Sequence, residues 1–347
     1  MEALDWLGNS DAMRDPKSPR WAGYISYDLG RLFEPMPSIA ADDLSLPLFM
    51  FVSTSRAPPG KLPAVSARQR PTLARPAVPR SDYEQAVQAV LDFVAAGDVY
   101  QVNLSQRLTA VTAEPGSHIY ARLQAQSPAS YGALIDCDAF QIISNSPELF
   151  FSVQPSGNCR RTILSRPIKG TRPRGEGMFE QLLASEKDAA ELAMIVDLQR
   201  NDLGKVCEIG SVRVTEPRTI EAHPSIFHGV ATIEGALRND VSLAEILRAL
   251  FPDPCGSITG CPKIRAMQII EHLEPTRRGP YCGAIGYIDA DGSMQFSVAI
   301  RTMTIIDGTA VVPVGGGIVA DSTPAAEYDE TIVKAHAMLR ALSAKLG

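Results

Sequence analysis

Tyr281–Val314, YCGAIGYIDADGSMQFSVAIRTMTIIDGTAVVPV, decides the fold class of this 347-residue chain. Apolar and polar residues alternate along it, and two Asp-Gly pairs, Asp291-Gly292 and Asp307-Gly308, interrupt the alternation. Asp-Gly between alternating runs marks a hairpin, because the tight turn that suits twisted strands needs positive φ at its central residues. The segment therefore predicts a three-stranded antiparallel meander with Arg301 on its middle strand. Gly315-Gly316-Gly317 closes the meander, and a helix follows from Thr323, with Pro324 at its first position.

Working outward, the same strand signals recur at Trp21–Tyr27, Leu46–Val52, Phe140–Asn145, Leu149–Val153 and Arg161–Ser165. Around Tyr100–Ser105, Tyr100, Val102 and Leu104 alternate with Gln101, Asn103 and Ser105, so one strand face is polar. Ser81 and Glu84 have capping-box spacing before Tyr83, Val87, Val90, Leu91 and Val94, which keep helical period until Gly97. Ser185 is placed to cap a helix bearing Asp188 and Glu191, with an apolar stripe of Leu192, Ile195 and Val196 and an end at Gly204. Ser242 with Glu245 opens another helix, and Pro262 sits at the first turn of one running to about Leu273. Hairpin-joined strands with interspersed helices predict an α+β fold with antiparallel sheets, not a doubly wound one. The Pro- and Arg-rich stretch Arg56–Arg80 reads as a linker or long loop. It separates residues 1–80 from a unit spanning 81–347.

Hydrophobic residues make up 45% of the chain and charged residues 21%, enough for a large core. A net charge of −6 gives no support for a nucleic-acid or anionic-membrane partner. No apolar run is long enough to span a bilayer, and the first residues lack the basic and apolar regions of a secretory signal. The expected location is the cytoplasm. The six cysteines form no CxxC pair and read as reduced thiols.

Carboxylates recur at helical spacing in two distant places. Asp188 and Glu191 are three residues apart, as are Glu327 and Glu330, and Lys334 follows four residues after Glu330. Such residues share one helix face, where like charges repel unless a cation lies between them. Most acidic pairs of this kind are solvated faces. Two of them brought together would make an oxygen cage for a hard cation such as Mg²⁺. Gly315-Gly316-Gly317 offers backbone amides that a ligand can approach closely. Gly256–Lys263 reads equally as a backbone nest for a carboxylate, through Thr259 and Gly260, or as a glycine turn feeding a helix. It is not a phosphate-binding P-loop. Arg301 and Lys334 are candidate carboxylate partners. Lys169 lies in a loop that Pro167, Gly170 and Pro173 constrain.

Taken together, these segments resemble the chorismate-utilising enzymes, the family of anthranilate, aminodeoxychorismate, isochorismate and salicylate synthases. The resemblance runs from Trp21 to Ala337. It rests on Gly97–Leu108, Ser146–Phe150, Pro167–Thr171, Glu186–Gly204, His228, Gly256–Lys263, Tyr281–Tyr287, Phe296–Thr302 and Gly315–Lys334. It implies two large packed antiparallel sheets flanked by helices, with the site between subdomains. It implies Mg²⁺ on Glu191 and Glu330, backed by Asp188 and Glu327, bridging to the ring carboxylate of chorismate. Tyr281, Arg301, Lys334 and the amides of Gly315, Gly316 and Gly317 would hold the enolpyruvyl carboxylate, and Thr171, Thr259 and Gly260 would help cradle the substrate. Glu148 would be the general acid, and His228 stands where the family carries an active-site histidine.

Family members that activate water carry lysine where this chain has Gln101, so the resemblance implies an ammonia user. Lys169 resembles the nucleophile of aminodeoxychorismate synthases, whereas anthranilate synthases typically have alanine there. The implied activity is formation of 4-amino-4-deoxychorismate, a precursor of p-aminobenzoate and folate, with ammonia from a glutamine amidotransferase partner. Anthranilate synthase component I, a non-catalytic scaffold or sensor, and a Mg²⁺-dependent phosphohydrolase remain as other readings. The family's usual portion before Trp21 is largely missing, which puts a complete tryptophan-binding pocket in doubt.

Overall fold

The computed structural model describes residues 20–54, 62–64, 71–156, 160–224, 226–252, 256 and 258–347. Residues 56–61 and 65–70 of the Arg56–Arg80 stretch, and Cys159, Cys255 and Ser257, lie outside the described residues. Within that stretch Thr72–Pro76 is a strand rather than loop.

Two sheets carry the fold. A nine-stranded sheet holds β1 (Arg20–Ile25), β2 (Phe49–Thr54), β7 (Leu149–Ser156), β8 (Arg160–Arg166), β9 (Ile168–Pro173), β10 (Arg213–Ala222), β11 (Ile226–Leu237), β13 (Ala284–Ile288) and β14 (Met294–Val298). Its order is β10-β11-β8-β7-β14-β13-β1-β2, with β9 also pairing β11. An eight-stranded sheet holds β3 (Thr72–Pro76), β4 (Gln101–Val111), β5 (Tyr131–Asp136), β6 (Phe140–Ser146), β12 (Gly260–Cys261), β15 (Thr302–Ile306), β16 (Thr309–Ile318) and β17 (Ala344–Leu346). Its order is β17-β3-β4-β16-β15-β6-β5, with β12 also on β4. Among these strands only β17 on β3 pairs parallel. The predicted α+β class with two large antiparallel sheets is what forms.

The deciding segment forms both predicted hairpins, β13–β14 and β15–β16, at the two Asp-Gly turns. It does not form one meander. β14 belongs to the nine-stranded sheet and β15 to the eight-stranded one. The expected middle strand breaks at Ala299–Arg301, where Arg301 takes φ 49°. Arg301 therefore sits at a crossover between sheets. Period-2 alternation continues through the break, so the pattern alone hides it.

Helices flank the sheets. The helices α4 (Glu186–Gly204) and α5 (Leu243–Leu250) bury Leu192, Val196, Leu203, Ile246 and Leu247 in the core of the nine-stranded sheet. The helices α2 (Gly116–Gln126) and α7 (Pro324–Ala341) set Ile119, Leu123, Ala335, Met338 and Leu339 on the eight-stranded sheet. Around β4 pack α1 (Arg80–Ala95) and α6 (Lys263–Leu273), and α3 (Met178–Ala184) lies beside β9. Between the sheets a smaller cluster joins Tyr24 and Ile285 to Phe140 and Ile142, with the Tyr24 and Phe140 rings edge-on at 6.1 Å.

Capping follows the sequence at α4 and α5: Ser185 accepts from the Asp188 amide, and Ser242 and Glu245 complete a reciprocal box. At α1 it does not. Pro79 occupies the cap position, Ser81 Oγ donates to Asp82, and Glu84 accepts from Arg80. Pro262 likewise precedes α6 as its cap residue.

A buried ion pair ties the halves together. Arg278 donates to Glu274 and to the carbonyls of Asn103 on β4 and Ile258, and its guanidinium stacks over Tyr27 beyond β1. Glu274 also accepts from the Ser105 amide at 2.8 Å. Replacing Arg278 with Met leaves the Glu274 carboxylate buried without its counter-charge, which costs about 3–5 kcal/mol. Urea unfolding should show that loss. A change under about 1 kcal/mol would mean that water or backbone amides, not Arg278, stabilise Glu274.

Candidate active site

A cleft of about 830 Å³ opens between the sheets, with α4 and α7 facing each other across it. It gathers residues more than a hundred positions apart. From β9 come Lys169 and Thr171, from the Pro147-Glu148 turn before β7 comes Glu148, and from β11 comes His228. From the crossover comes Arg301, with Tyr281 beneath. Asp188 and Glu191 of α4 confront Glu327, Glu330 and Lys334 of α7, with Gly315 and Gly317 of β16 between them. Lys169 was expected in a constrained loop. It lies instead on a strand paired with β11, where Thr171 stands opposite His228.

Each carboxylate expected to hold a cation already has a partner. Glu191 Oε2 takes the Lys169 ammonium at 2.9 Å, and Glu330 Oε1 takes Lys334 at 2.8 Å. Asp188 Oδ2 accepts from Arg172 at 3.0 Å, and Glu327 Oε1 accepts from Ser322 at 2.6 Å. Among the described residues no three His, Cys, Asp or Glu side chains converge on one point. The four carboxylates thus line one cleft without closing into a cage. Burial raises the Glu327 carboxyl above its usual range; Ser322 opposes this, and Glu330 adds to it. Hard carboxylate oxygens on two helices that line one cleft are a donor set that suits Mg²⁺.

The deep end of the cleft is electrostatically different. Glu148 is buried and accepts from the Ile168 amide at 3.3 Å. Burial pulls the Arg301 guanidinium below its ordinary range, while the Glu148 charge acts the other way. His228 is 2% exposed; its Nδ1 lies 2.8 Å from Thr171 Oγ1, and its Nε2 is buried without a hydrogen-bond partner. Burial, then the charges of Arg301 and His223, push it down to about 4, against a backbone hydrogen bond with Gly170. His228 is therefore neutral at physiological pH.

Three predicted binding residues do not line the cleft. Thr259 is fully buried, and its carbonyl accepts from the Asn103 amide. Gly260 forms β12 on β4, so close that a Cβ would lie 2.2 Å from the Gln101 carbonyl oxygen. That region braces β4 from behind, which accounts for its glycine without a ligand. Gly316 faces α7, where a Cβ would come within 2.9 Å of Glu327 Oε2. The triple glycine is not a loop; it is the part of β16 paired with Asn103–Ser105 of β4.

Sequence reasoning did not single out Arg172, Lys187 or Ser322, all of which line the cleft. Arg172 was visible beside Thr171, and Lys187 beside Asp188. Nothing in the spacing showed that these neighbours face inward. Asn103 also lines the cleft, and the polar face of its strand was a usable signal.

Residues 2–340 match the family model described as chorismate binding enzyme. The chain is 38% identical over 361 residues to anthranilate synthase component 1 of Thermus thermophilus, covering 92% of this chain and 76% of that protein. It is 39% identical over 351 residues to aminodeoxychorismate synthase component 1 of Klebsiella aerogenes, with the same coverage of each. The crystal structure of anthranilate synthase component I from Streptococcus pneumoniae superposes with a TM-score of 0.85 at 29% identity, covering 98% of this chain and 85% of that one. Two sheets with their cleft between them, the carboxylate-bearing helices on its rim and these matches lead to one assignment: the chain belongs to the chorismate-binding enzyme family.

Proposed function

We propose that this chain converts chorismate and ammonia to 4-amino-4-deoxychorismate, with Lys169 as the attacking group. The observation that carries this reading is Lys169 itself, on β9 and directed into the cleft against Glu191. A scaffold would need no lysine there. An enzyme that adds ammonia to C2 directly would not need one either.

The reading assigns each side chain a task. Lys169 loses its ammonium proton to solvent, the neutral amine bonds to C2 of chorismate, and the proton that the nitrogen then sheds passes by solvent to the Glu148 carboxylate. The ring double bonds shift by one position each, and the C4 hydroxyl leaves as water with a proton from Glu148. Ammonia then bonds to C4, the double bonds shift back and the C2–lysine bond breaks, which restores the amine. General acid catalysis supplies about 10²–10⁴-fold. Mg²⁺ held by Glu191 and Glu330, with Asp188 and Glu327 behind them, would neutralise the ring carboxylate as a Lewis acid. Arg301, Lys334 and Tyr281 would take the enolpyruvyl carboxylate. His228, neutral and held by Thr171 through Nδ1, lines the deep end of the cleft. Ammonia would come from a glutamine amidotransferase subunit or from free ammonium, in a protein working in the cytoplasm. No helix among the described residues is long and apolar enough to cross a membrane.

Anthranilate formation is the second reading, because a relative of that name is as similar as those named aminodeoxychorismate synthase. Mass spectrometry of a reaction with chorismate, Mg²⁺ and ammonium separates the two. Hydroxyl replaced by amine with the enolpyruvyl group retained supports the proposal. Anthranilate with released pyruvate overturns it.

Three outcomes follow from the geometry. Lys169→Ala should reduce aminodeoxychorismate formation by about 100-fold or more while chorismate still binds, since covalent catalysis is lost and the pocket is kept. Wild-type turnover in that variant would exclude the lysine from the chemistry. Glu330→Gln should raise the Mg²⁺ concentration for half-maximal activity by about tenfold or more; an unchanged requirement would move the cation elsewhere. His228 titrates near 4, so it stays neutral from mildly acidic to alkaline pH. His228→Asn should therefore lower kcat without moving the acid limb of the pH profile. A shift of that limb on substitution would show that His228 titrates during turnover.

A further inference from the structure

We infer that Lys169 and the divalent cation compete for Glu191, so that cation binding and release of the Lys169 side chain are one event. This inference rests on the reading above that Glu191 holds the cation.

The Lys169–Glu191 pair differs from its neighbours. Lys334–Glu330 is an i,i+4 pair within one helix, of the kind that forms on any solvated face. Lys169–Glu191 joins β9 to α4, at 2.9 Å, with both side chains less than a quarter exposed. The contact spans two different elements, so it depends on how the strand and helix pack. Gly170, next to Lys169, permits that packing: it has φ 85°, and a Cβ there would lie 2.8 Å from Leu182 Cδ1 and 2.9 Å from Asp188 Cγ. At Gly170, beside the lysine, β9 thus packs closely against a leucine of α3 and the Asp188 carboxylate of α4.

An ammonium and a divalent cation do not share Glu191. Mg²⁺ requires its oxygens at about 2.0–2.1 Å in a near-octahedral shell. A third positive charge within a few ångströms, in a cleft only partly open to water, adds repulsion. Occupancy by lysine therefore reduces the fraction of protein ready for the cation, and the apparent affinity falls by that fraction. Linkage makes the effect reciprocal: the cation lowers the occupancy of Glu191 by lysine by the same factor. The consequence is ordered. Without the cation the Lys169 side chain is held on α4; with it, the side chain is free to turn to the substrate.

The test is calorimetric titration of Mg²⁺ into the full chain at fixed pH without chorismate, so that turnover plays no part. Lys169→Met, which removes the charge, should bind Mg²⁺ about three- to tenfold more tightly than the parent. Lys169→Arg, which keeps it, should bind like the parent. Lys187→Met removes a cleft cation that forms no ion pair among the described residues, and should change affinity less than Lys169→Met. In a Glu191→Gln background the effect of Lys169→Met should vanish, as expected for a direct pair. Unchanged or weaker binding in Lys169→Met overturns the competition. So does equal tightening in Lys187→Met, which would reflect only the general field. If neither the parent nor any variant binds Mg²⁺, the metal reading itself falls and the competition with it. Binding in the parent without tightening in Lys169→Met removes the competition alone.

Discussion

The constraint on which this structure turns is the three-residue passage from Val298 to Thr302. β14 ends in one sheet and β15 begins in the other, so the backbone must change direction without a loop. Arg301 does this in the left-handed region, at a cost of roughly 1–3 kcal/mol for a residue with a Cβ. One packed cluster and one backbone hydrogen bond hold it there. Ala299 sits with Tyr24 and Phe140 between the sheets, and the Asn145 amide donates to the Arg301 carbonyl. The same passage turns the guanidinium into the cleft beside Glu148. One local conformation therefore sets the sheet crossing and places a cation at the deep end of the site.

The cleft walls divide by charge type. The rim, on α4 and α7, is a set of carboxylates each held by a lysine, an arginine or a hydroxyl. The deep end holds few groups, more completely buried, and there burial dominates: it lowers His228 to about 4 and lowers Arg301. A neutral histidine beside a desolvated arginine provides hydrogen bonding without a second full charge. The rim can exchange partners because its ion pairs are part-exposed and individually weak. The deep end exchanges less readily, because separating buried Glu148 from Arg301 would leave a desolvated charge without its counter-charge.

Much of this was legible in the sequence, for reasons that differ by feature. Both Asp-Gly hairpins, the Ser185 and Ser242 caps and the start of α7 at Thr323-Pro324 are local rules, and each forms as read. The failures lie where a distant partner decides. Ser81 and Glu84 have box spacing, yet Arg80 takes Glu84 and Pro79 takes the cap position. Lys169 stands among Pro and Gly that read as a loop, yet β11 supplies a ladder. Gly256–Lys263 read equally as a carboxylate nest or a glycine turn, and the close approach of β4 accounts for the glycine at 260. The pairing of Asp188 with Arg172, and of Glu191 with Lys169, needed the register of β9 against α4, which no one-dimensional pattern contains.

The glycines of β16 show how a packing requirement and an open site coincide. On a strand buried on both faces, Val or Ile would be favoured, as at Val311, Val312 and Val314. At Gly315 a Cβ would sit 2.8 Å from Asn103 Oδ1, at Gly316 2.9 Å from Glu327 Oε2, and at Gly317 3.0 Å from Gln101 Nε2. All three neighbours are polar side chains of β4 or α7. Side chains on β16 here would push Glu327 away and displace Gln101 from its hydrogen bond to the Gly256 carbonyl. Glycine forgoes strand propensity to let α7 settle on the sheet with its carboxylates facing α4. Lys334 completes the arrangement by donating to the Gly315 carbonyl at 2.9 Å, a contact that a side chain on the strand would crowd. The seat of Glu327 against β16 therefore depends on a side chain that is absent at Gly316.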